Sequence, residues 1–218
     1  MIPTVSVFTK ACKSVGVELI SYYPITPAMS FIKSCKKELK TIMAEDEISA
    51  INMAIGASII GKTSCVVTSG PGLNLMTEGL NYAFMAEVPL VVFDFQRAGP
   101  ATGIPTKTLE QDESYINNCI FGVNKNPIFY PKTQKEMYTH TIEAFKLAEK
   151  LKRPVFIMSD FSTSVTYETE ISLDTKSVKL DIDRKHFYTG LFTVDDVISE
   201  DIEALQNYLD GRKNDFMV

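Results

Sequence analysis

Residues 41–72 read TIMAEDEISAINMAIGASIIGKTSCVVTSGPG, and this stretch decides the predicted fold. Isoleucine recurs in it at three- and four-residue steps, which is typical of a helix. The isoleucines concerned are Ile48, Ile51, Ile55 and Ile59. Alanine, glycine and serine stand between them, so the helix is thin and can pack closely. Ser64–Thr68 then has the composition of a buried strand, and Ser69-Gly70-Pro71-Gly72 predicts a tight turn.

Three consecutive carboxylates, Glu45, Asp46 and Glu47, precede this helix. Acidic residues are common in the first turn of a helix because they complement the positive end of its dipole. A carboxylate that opens an almost wholly apolar helix can also be a functional acid or base, since burial raises its pKa. The residues alone leave both explanations open.

The composition fits one globular domain with an appendage: 218 residues, 45% hydrophobic and 22% charged, with a net charge of −5. The negative charge argues against a nucleic-acid partner. No basic N-terminal segment is followed by an apolar run, and the longest apolar segment, around residues 48–60, is too short to span a bilayer. We therefore expect a cytoplasmic chain with no membrane partner.

Four cysteines, at positions 12, 35, 65 and 119, are too far apart to form a CxxC pair, and no histidine lies near them. An iron–sulfur or zinc site built by this chain alone is therefore not expected, and no metal ligand is assigned. Cys65 lies inside a predicted strand, where a free thiol acts as a small apolar filler.

Helical and strand patterns alternate along residues 1–160, which predicts one α/β domain with a doubly wound, mostly parallel sheet flanked by helices. The six strand candidates are residues 18–23, 41–44, 64–68, 89–95, 127–130 and 154–159. The helix candidates are residues 4–15, 26–39, 48–60, 73–86, 109–119 and 133–151. Residues 161–218 are predicted to be a short C-terminal extension, with an exposed strand in 164–173 and an acidic helix in 195–209, rather than a full second domain.

Four segments rich in polar or glycine residues follow strand candidates. They are Tyr23–Thr26, Glu45–Glu47, Ser69–Gly72 and Arg97–Gly103. In a doubly wound sheet, ligands bind at the carboxyl ends of the strands. The alternation of elements therefore predicts that these segments converge on one edge and form the binding site.

Several motifs occur in a distinctive order. They are Tyr23-Pro24-Ile25-Thr26-Pro27, the segment from Glu45 into the thin helix, Thr68-Ser69-Gly70-Pro71-Gly72, Leu75-Met76-Thr77-Glu78, and Gln96-Arg97-Ala98-Gly99-Pro100-Ala101-Thr102-Gly103. This order resembles the alpha subunit of the 2-oxoacid:ferredoxin oxidoreductases, most closely the 2-oxoglutarate type, over residues 10–160. The resemblance implies a thiamine diphosphate-binding fold of the pyrimidine type. It also implies the oxidative decarboxylation of a 2-oxo acid with coenzyme A to acyl-CoA, CO₂ and reduced ferredoxin.

The resemblance assigns roles to individual residues. Glu47 is the implied catalytic and cofactor-binding carboxyl, which hydrogen-bonds the aminopyrimidine ring, although Glu45 is a rival in the same segment. Ser69, Gly70 and Gly72 are implied to lie beside the pyrimidine. Thr26 and Arg97 are implied to bind the 2-oxo acid. Thr26 can also serve as the N-cap of a helix that has Pro27 at its first position, and Arg97 can be a surface charge.

The resemblance also implies partners. It implies that the diphosphate, its Mg²⁺ and a [4Fe–4S] cluster lie on a beta subunit, and this chain accordingly has no Gly-Asp-Gly motif and no Walker lysine. A gamma subunit, ferredoxin and coenzyme A complete the expected assembly. Thiamine diphosphate would then be shared between the two subunits.

The chain departs from the family pattern in three places. Ala101 replaces a common serine, residues 121–125 replace a glycine–histidine segment, and no usual second domain fits after residue 160. Two other functions therefore stay open: a subunit of a non-oxidative thiamine-dependent 2-oxo acid decarboxylase, and a non-catalytic paralogue that binds a partner.

Overall fold

A computed structural model of the chain describes residues 2–107, 109, 111–123, 125–160, 167–168, 177–180 and 182. Within these residues the helices are α1 Thr4–Ser14, α2 Met29–Cys35, α3 Glu47–Ile59, α4 Gly70–Leu75, α5 Thr77–Met85, α6 Asp112–Asn118 and α7 Gln134–Leu151. The strands are β1 Ile2–Pro3, β2 Leu19–Tyr22, β3 Thr41–Met43, β4 Ser64–Thr68, β5 Leu90–Gln96, β6 Ile128–Phe129, β7 Pro154–Asp160 and β8 Tyr167–Glu168.

Six of these strands form one sheet in the order β3-β2-β4-β5-β7-β6, and every neighbouring pair is parallel. This confirms the predicted doubly wound α/β fold and all six strand candidates. A second, two-stranded sheet pairs β1 with β8 in antiparallel fashion. The pattern of residues did not predict β1, because two residues are too few to show an alternation.

The central strands are buried on both faces. All seven residues of β5 are buried, as expected for the apolar run LVVFDFQ in the middle of a parallel sheet. On one face, Phe8 of α1 packs edge-on against Phe93 with ring centroids 4.8 Å apart, and Phe31 of α2 stacks on Phe95 at 3.7 Å. Fully burying each such ring stabilises the fold by about 1.5–3 kcal/mol.

On the other face, small residues let helices approach one another closely. Ala50, Ile51 and Ala54 are fully buried on α3. Gly79 of α5 lies so close to α3 that a Cβ at position 79 would come within 2.7 Å of the Ile51 Cγ2 atom. The thin helix predicted from residues 48–60 is therefore confirmed, and its thinness sets the distance between α3 and α5.

Helix α7 begins as its sequence predicts. The Thr133 hydroxyl accepts a hydrogen bond from the Glu136 backbone N–H at 3.1 Å, and Glu136 Oε2 accepts one from the Thr133 N–H at 3.1 Å. This is the capping box expected from threonine with glutamate three residues later.

The prediction that Thr26 caps a helix running to residue 39 is wrong. Helix α2 begins only at Met29 and ends at Cys35, and its N-cap is Ala28, which has no side chain able to accept a hydrogen bond. Residues 26–28 form a turn instead, and the Ser30 N–H donates to the Pro27 carbonyl at 3.1 Å. The Thr26 carbonyl is held from outside the segment, by Arg97.

The segment after β4 also differs from its prediction. Residues 69–72 are not an isolated turn, because Ser69 is the N-cap of α4 and Pro71 lies in the first helical turn. The helix predicted over residues 73–86 is divided at Met76 into α4 and α5. The helix predicted over 109–119 is shorter, Asp112–Asn118.

The C-terminal predictions fall mostly outside the described residues. Of the predicted strand in 164–173, the structure describes Tyr167–Glu168, which is β8. The predicted acidic helix in 195–209 lies wholly outside them. Among the described residues, no helix combines the length and the apolar character needed to cross a membrane.

Gly79 of α5 and Gly56 of α3 should respond oppositely to the same substitution. Gly79→Ala forces the Ile51 side chain to move and should lower the free energy of unfolding, since overpacking costs about 1–3 kcal/mol and exceeds the gain in helix propensity. Gly56 on α3 is exposed, and a Cβ there meets nothing within 4 Å, so Gly56→Ala should raise the free energy of unfolding by about 0.5–1 kcal/mol.

Urea denaturation of both variants beside the wild-type chain provides the measurement. If Gly79→Ala is as stable as Gly56→Ala, the close packing of α3 on α5 is wrong.

Candidate functional site

The four predicted site segments lie at one edge of the sheet. Parallel pairing sets Tyr22 beside Val67 and Thr68 beside Asp94, so β2, β4 and β5 end at similar levels. The residues that follow these strands therefore emerge side by side, as predicted from the alternation of elements. Glu47 joins them from the neighbouring strand β3, four residues after its end.

The structure separates the three consecutive carboxylates into different environments. Asp46 is the N-cap of α3, and its Oδ1 accepts a hydrogen bond from the Ser49 N–H at 2.6 Å, which lowers the pKa of Asp46. Glu45 is exposed to solvent. Glu47, the first residue of α3, is 95% buried, since its relative exposure is 5%. The conventional capping role thus belongs to Asp46 and leaves the Glu47 carboxyl free for another task.

Glu47 lies against the start of α4. A Cβ at Gly72 would come within 2.8 Å of both Cγ and Oε1 of Glu47, and it would overlap the Thr68 hydroxyl. Only glycine fits between these side chains, so position 72 lets the Glu47 carboxyl pack directly against the backbone of α4.

Burial raises the pKa of the Glu47 carboxyl above its ordinary value. The nearby Asp46 charge raises it further, whereas the Glu47 backbone N–H and the Arg97 charge lower it. A raised pKa brings a carboxyl closer to the range in which it can exchange a proton during catalysis.

Arg97 connects the ends of β5 and β2. Its side chain is almost fully buried, with an exposure of 7%, and Nη1 donates a hydrogen bond to the Thr26 carbonyl at 3.2 Å. The Arg97 Nε has no partner among the described residues. The Thr26 side chain itself is exposed. The structure therefore brings Thr26 and Arg97 together, but through the Thr26 backbone.

Ser69 and Gly70 lie between Glu47 and a second acidic group. The Ser69 hydroxyl is fully buried and has no hydrogen-bond partner in the described part of the chain. A Cβ at Gly70 would come within 2.8 Å of the Asp112 Oδ2 atom. The predicted cofactor-binding turn thus separates the Glu47 carboxyl from that of Asp112.

Asp94 and Asp112 were missed by the analysis of the sequence. Asp94 is fully buried near the end of β5, and Asp112 is the first residue of α6. Asp94 did leave a signal, because it is a single carboxylate inside the apolar run LVVFDF. Asp112 left none, since its position in the first turn of a helix is ordinary.

The loop after Arg97 folds back on itself. The Ile104 N–H donates to the Ala98 carbonyl at 2.7 Å, and a Cβ at Gly103, where φ is +51°, would overlap that carbonyl. Ala101, which departs from the family serine, is exposed on this loop with a φ of 50°. The loop conformation therefore depends on Gly103 and holds Ala101 at the surface.

The arrangement can accept a flat aromatic ring that hydrogen-bonds a carboxyl. Glu47 offers a buried carboxyl of raised pKa, and the Ser69 hydroxyl in the adjoining turn has no hydrogen-bond partner among the described residues. The aminopyrimidine of thiamine diphosphate is a group of this kind, so the residues present fit it. Within the described part of the chain, no three histidine, cysteine or acidic side chains gather as metal ligands, and all four cysteines are free thiols in buried positions.

Comparison with known proteins gives consistent matches. The family model for "Pyruvate flavodoxin/ferredoxin oxidoreductase, thiamine diP-bdg" matches residues 10–199. The chain is 34% identical over 218 residues to the 2-oxoglutarate synthase subunit KorA of Archaeoglobus fulgidus, covering 92% of this chain and 63% of that one. It is 39% identical over 156 residues to the KorA subunit of Methanocaldococcus jannaschii, covering 69% of this chain and 43% of the relative.

A solved structure of 2-oxoglutarate:ferredoxin oxidoreductase from Magnetococcus marinus, with 2-oxoglutarate, coenzyme A and succinyl-CoA bound, superposes with a TM-score of 0.80 at 27% identity. It covers 100% of this chain and 45% of the solved one. The chain therefore spans less than two thirds of the length of these relatives.

The raised pKa of Glu47 has a consequence for stability. The folded state binds this proton more tightly than the unfolded state, so the contribution of Glu47 is largest below about pH 4 and is lost as the pH rises through the folded pKa. Glu47→Gln has no carboxyl to ionise, so it does not lose stability in this way as the pH rises. The variant should therefore become more stable relative to wild type as the pH rises across that window.

Urea denaturation of the isolated chain at several values between pH 4 and pH 8 measures the difference. Glu45→Gln changes an exposed side chain in the same segment and is the matched control, for which we expect a curve close to wild type. Parallel pH curves for Glu47→Gln and wild type would refute the raised pKa.

Proposed function

Because this chain belongs to the family of thiamine diphosphate-binding domains of the pyruvate flavodoxin/ferredoxin oxidoreductases, we propose that it acts as the alpha subunit of a 2-oxoacid:ferredoxin oxidoreductase. The proposed reaction is the oxidative decarboxylation of a 2-oxo acid with coenzyme A to acyl-CoA, CO₂ and reduced ferredoxin. The proposed substrate is 2-oxoglutarate, since both relatives above are named 2-oxoglutarate synthase subunits and the solved relative contains 2-oxoglutarate.

The burial of Glu47 beside Gly72 is the observation that carries this proposal. Thiamine diphosphate, when bound, supplies a carbon nucleophile for the 2-oxo carbon of the substrate. Glu47 would hold a proton at the pyrimidine ring, a role that requires a carboxyl of raised pKa in a water-poor crevice. Ser69, Gly70 and Gly72 would border the ring, and the buried, unpartnered Ser69 hydroxyl is available to it.

Arg97 would bind the carboxylate of the 2-oxo acid. Its guanidinium is held at the end of β5 by the Thr26 carbonyl, while Nε remains available, and a planar guanidinium can hold a carboxylate with two parallel hydrogen bonds. Thr26 would face the substrate through its exposed side chain. These positions place the substrate on the same edge of the sheet as Glu47.

A beta subunit is proposed to complete the site. Around Glu47, Met43, Ile48 and Leu75 are apolar side chains with exposures of 63%, 49% and 48%. An apolar surface of this kind next to a polar crevice suits a protein partner that closes it. The partner would carry the diphosphate, Mg²⁺ and [4Fe–4S] sites, and a gamma subunit, ferredoxin and coenzyme A would act through the complex.

Two further parts of the proposal concern the chain as a whole. We assign residues 1–160 to the pyrimidine-type domain and residues 161–218 to its C-terminal extension. Because all four thiols are free and buried, we place the chain in a reducing compartment, the cytoplasm.

Reconstitution with a beta subunit tests the proposed reaction. The complex should reduce ferredoxin in the presence of 2-oxoglutarate and coenzyme A, and a panel of other 2-oxo acids establishes the preference. Release of CO₂ without electron transfer would indicate a non-oxidative decarboxylase instead. An assembled complex that turns over no 2-oxo acid would contradict the proposal in favour of a non-catalytic paralogue.

The isolated chain should bind thiamine diphosphate poorly, because the diphosphate and metal sites are proposed to lie on the partner. Isothermal titration calorimetry with Mg²⁺ measures this, first on the chain alone and then on the complex. Micromolar affinity of the chain alone would show that the diphosphate site has been assigned to the wrong subunit.

Arg97→Ala should impair use of the 2-oxo acid more than binding of the cofactor. A lost charge-assisted hydrogen bond weakens binding by about 1.5–3 kcal/mol, which corresponds to a KM higher by about 10- to 150-fold. Lys107→Ala removes an exposed positive charge from the same loop and is the control. If Arg97→Ala and Lys107→Ala have the same KM for the 2-oxo acid, Arg97 does not bind the substrate and its role is structural.

A further inference from the structure

Asp94 occupies an unusual position for a charged residue. It lies in the central strand β5, between Thr68 of β4 and Met158 of β7, and its relative exposure is 0%. Neither carboxylate oxygen forms a hydrogen bond of good geometry within the described residues, and the nearby Gly70 backbone N–H is a donor that lowers the pKa of Asp94 only in part. A buried carboxylate with so little hydrogen bonding is strongly unfavourable as an anion, and such a group becomes neutral by keeping its proton. The fold therefore requires either a counter-charge or a proton at this position.

Asp112 supplies the acceptor for that proton. Its carboxyl reaches from α6 over Gly70, where a Cβ would come within 2.8 Å of Oδ2, and contacts the Asp94 carboxyl. Two ionised carboxylates cannot hydrogen-bond each other, because neither has a proton to donate. Asp112 Oδ2 therefore has no hydrogen-bond partner among the described residues when both groups are ionised. One proton between the two groups satisfies both of them.

The charges around the pair indicate where the proton resides. Burial and the neighbouring Asp112 charge raise the pKa of Asp94 well above its ordinary value. Burial also raises the pKa of Asp112, but a hydrogen bond from Asp94 and the positive charge of Arg97 oppose that rise. These influences favour the proton on Asp94 and the negative charge on Asp112.

We propose that Asp94 and Asp112 share one proton, and that the single negative charge left on the pair positions the Arg97 guanidinium for the substrate carboxylate. The positive charge of the Arg97 guanidinium lowers the pKa of both Asp112 and Glu47. The only described hydrogen bond of the Arg97 side chain goes to the Thr26 carbonyl. Asp112 is therefore a positioning residue, and this role rests on the function proposed above for Arg97.

The pair also keeps Arg97 from becoming the partner of Glu47. With one charge on Asp112, the guanidinium is balanced without Glu47. If the pair carried no charge, the positive charge of Arg97 would be balanced by Glu47 alone and would keep the Glu47 carboxyl ionised. With two charges, the carboxyls would repel each other beneath Gly70 and disturb the turn beside the cofactor. A single shared proton therefore balances the charge of Arg97 and avoids repulsion between the two carboxyls at Gly70.

Infrared spectroscopy of the full chain at neutral pH tests the shared proton without any catalytic assay. A protonated aspartic acid gives a carbonyl stretch separate from that of carboxylates. We expect this band in the wild type, and we expect it to shift when aspartate, but not glutamate, carries ¹³C at the side-chain carboxyl. It should persist in Glu47→Gln and vanish in Asp94→Asn. A wild type with no aspartic acid band at neutral pH would overturn the proposal, whether or not Asp94→Asn folds.

Kinetics of the reconstituted complex test the positioning role. Asp112→Asn should raise the KM for the 2-oxo acid by about tenfold and change the KM for coenzyme A much less. The expected effect is smaller than the roughly hundredfold loss caused by a fully misplaced group, because Arg97 itself is still present. Glu113→Gln alters the next, exposed carboxylate of α6 and is the control. Equal changes in both KM values, or none, would overturn the role of Asp112. If the wild-type complex does not turn over any 2-oxo acid, the proposed function and the role of Arg97 are both refuted. The infrared result still decides whether Asp94 and Asp112 share a proton.

Discussion

The close approach of α4 to the first turn of α3 is the constraint on which the site depends. Gly72 is the point of contact, because any Cβ there would meet both the Glu47 carboxyl and the Thr68 hydroxyl. This approach buries Glu47 without giving it a counter-charge in direct contact. Asp46 makes the arrangement possible by capping α3 itself, so that the helix does not need Glu47 as its cap. The burial of Glu47 and its raised pKa are thus consequences of how two helices meet.

The same edge of the sheet contains three buried acidic groups, Glu47, Asp94 and Asp112, and the buried guanidinium of Arg97. The Arg97 charge lowers the pKa of both Glu47 and Asp112, and the Asp112 carboxyl contacts that of Asp94. Because these groups are buried, each charge among them is costly in free energy. The protonation of one group therefore influences the protonation of its neighbours. This accounts for the glycines at positions 70 and 72, which leave room for carboxyls on both sides of one turn. A site of this kind is sensitive to single substitutions that hardly change its shape.

Much of this fold follows from local patterns in the sequence. The six parallel strands, the thin helix and the capping box at Thr133 were all predictable, since each depends on residues close together in the chain. The convergence of the strand ends followed from the alternation alone. The predicted N-cap at Thr26 was wrong because the local pattern was satisfied by a turn whose carbonyl is bound by Arg97, 71 residues away. The contact between Asp94 and Asp112 was missed for the same reason, because no local pattern reports which carboxyls meet across a fold.

The central claim is that Glu47, rather than Glu45, is the acid–base group of a thiamine-dependent enzyme. Measuring turnover of the reconstituted complex with Glu47→Gln and with Glu45→Gln tests it most directly. Acid–base groups contribute roughly 10²–10⁴-fold to rate, so Glu47→Gln should lose activity on that scale while still assembling, and Glu45→Gln should retain most of it. Loss of activity in Glu45→Gln alone would identify the other glutamate, and full activity in both variants would contradict the account of this site.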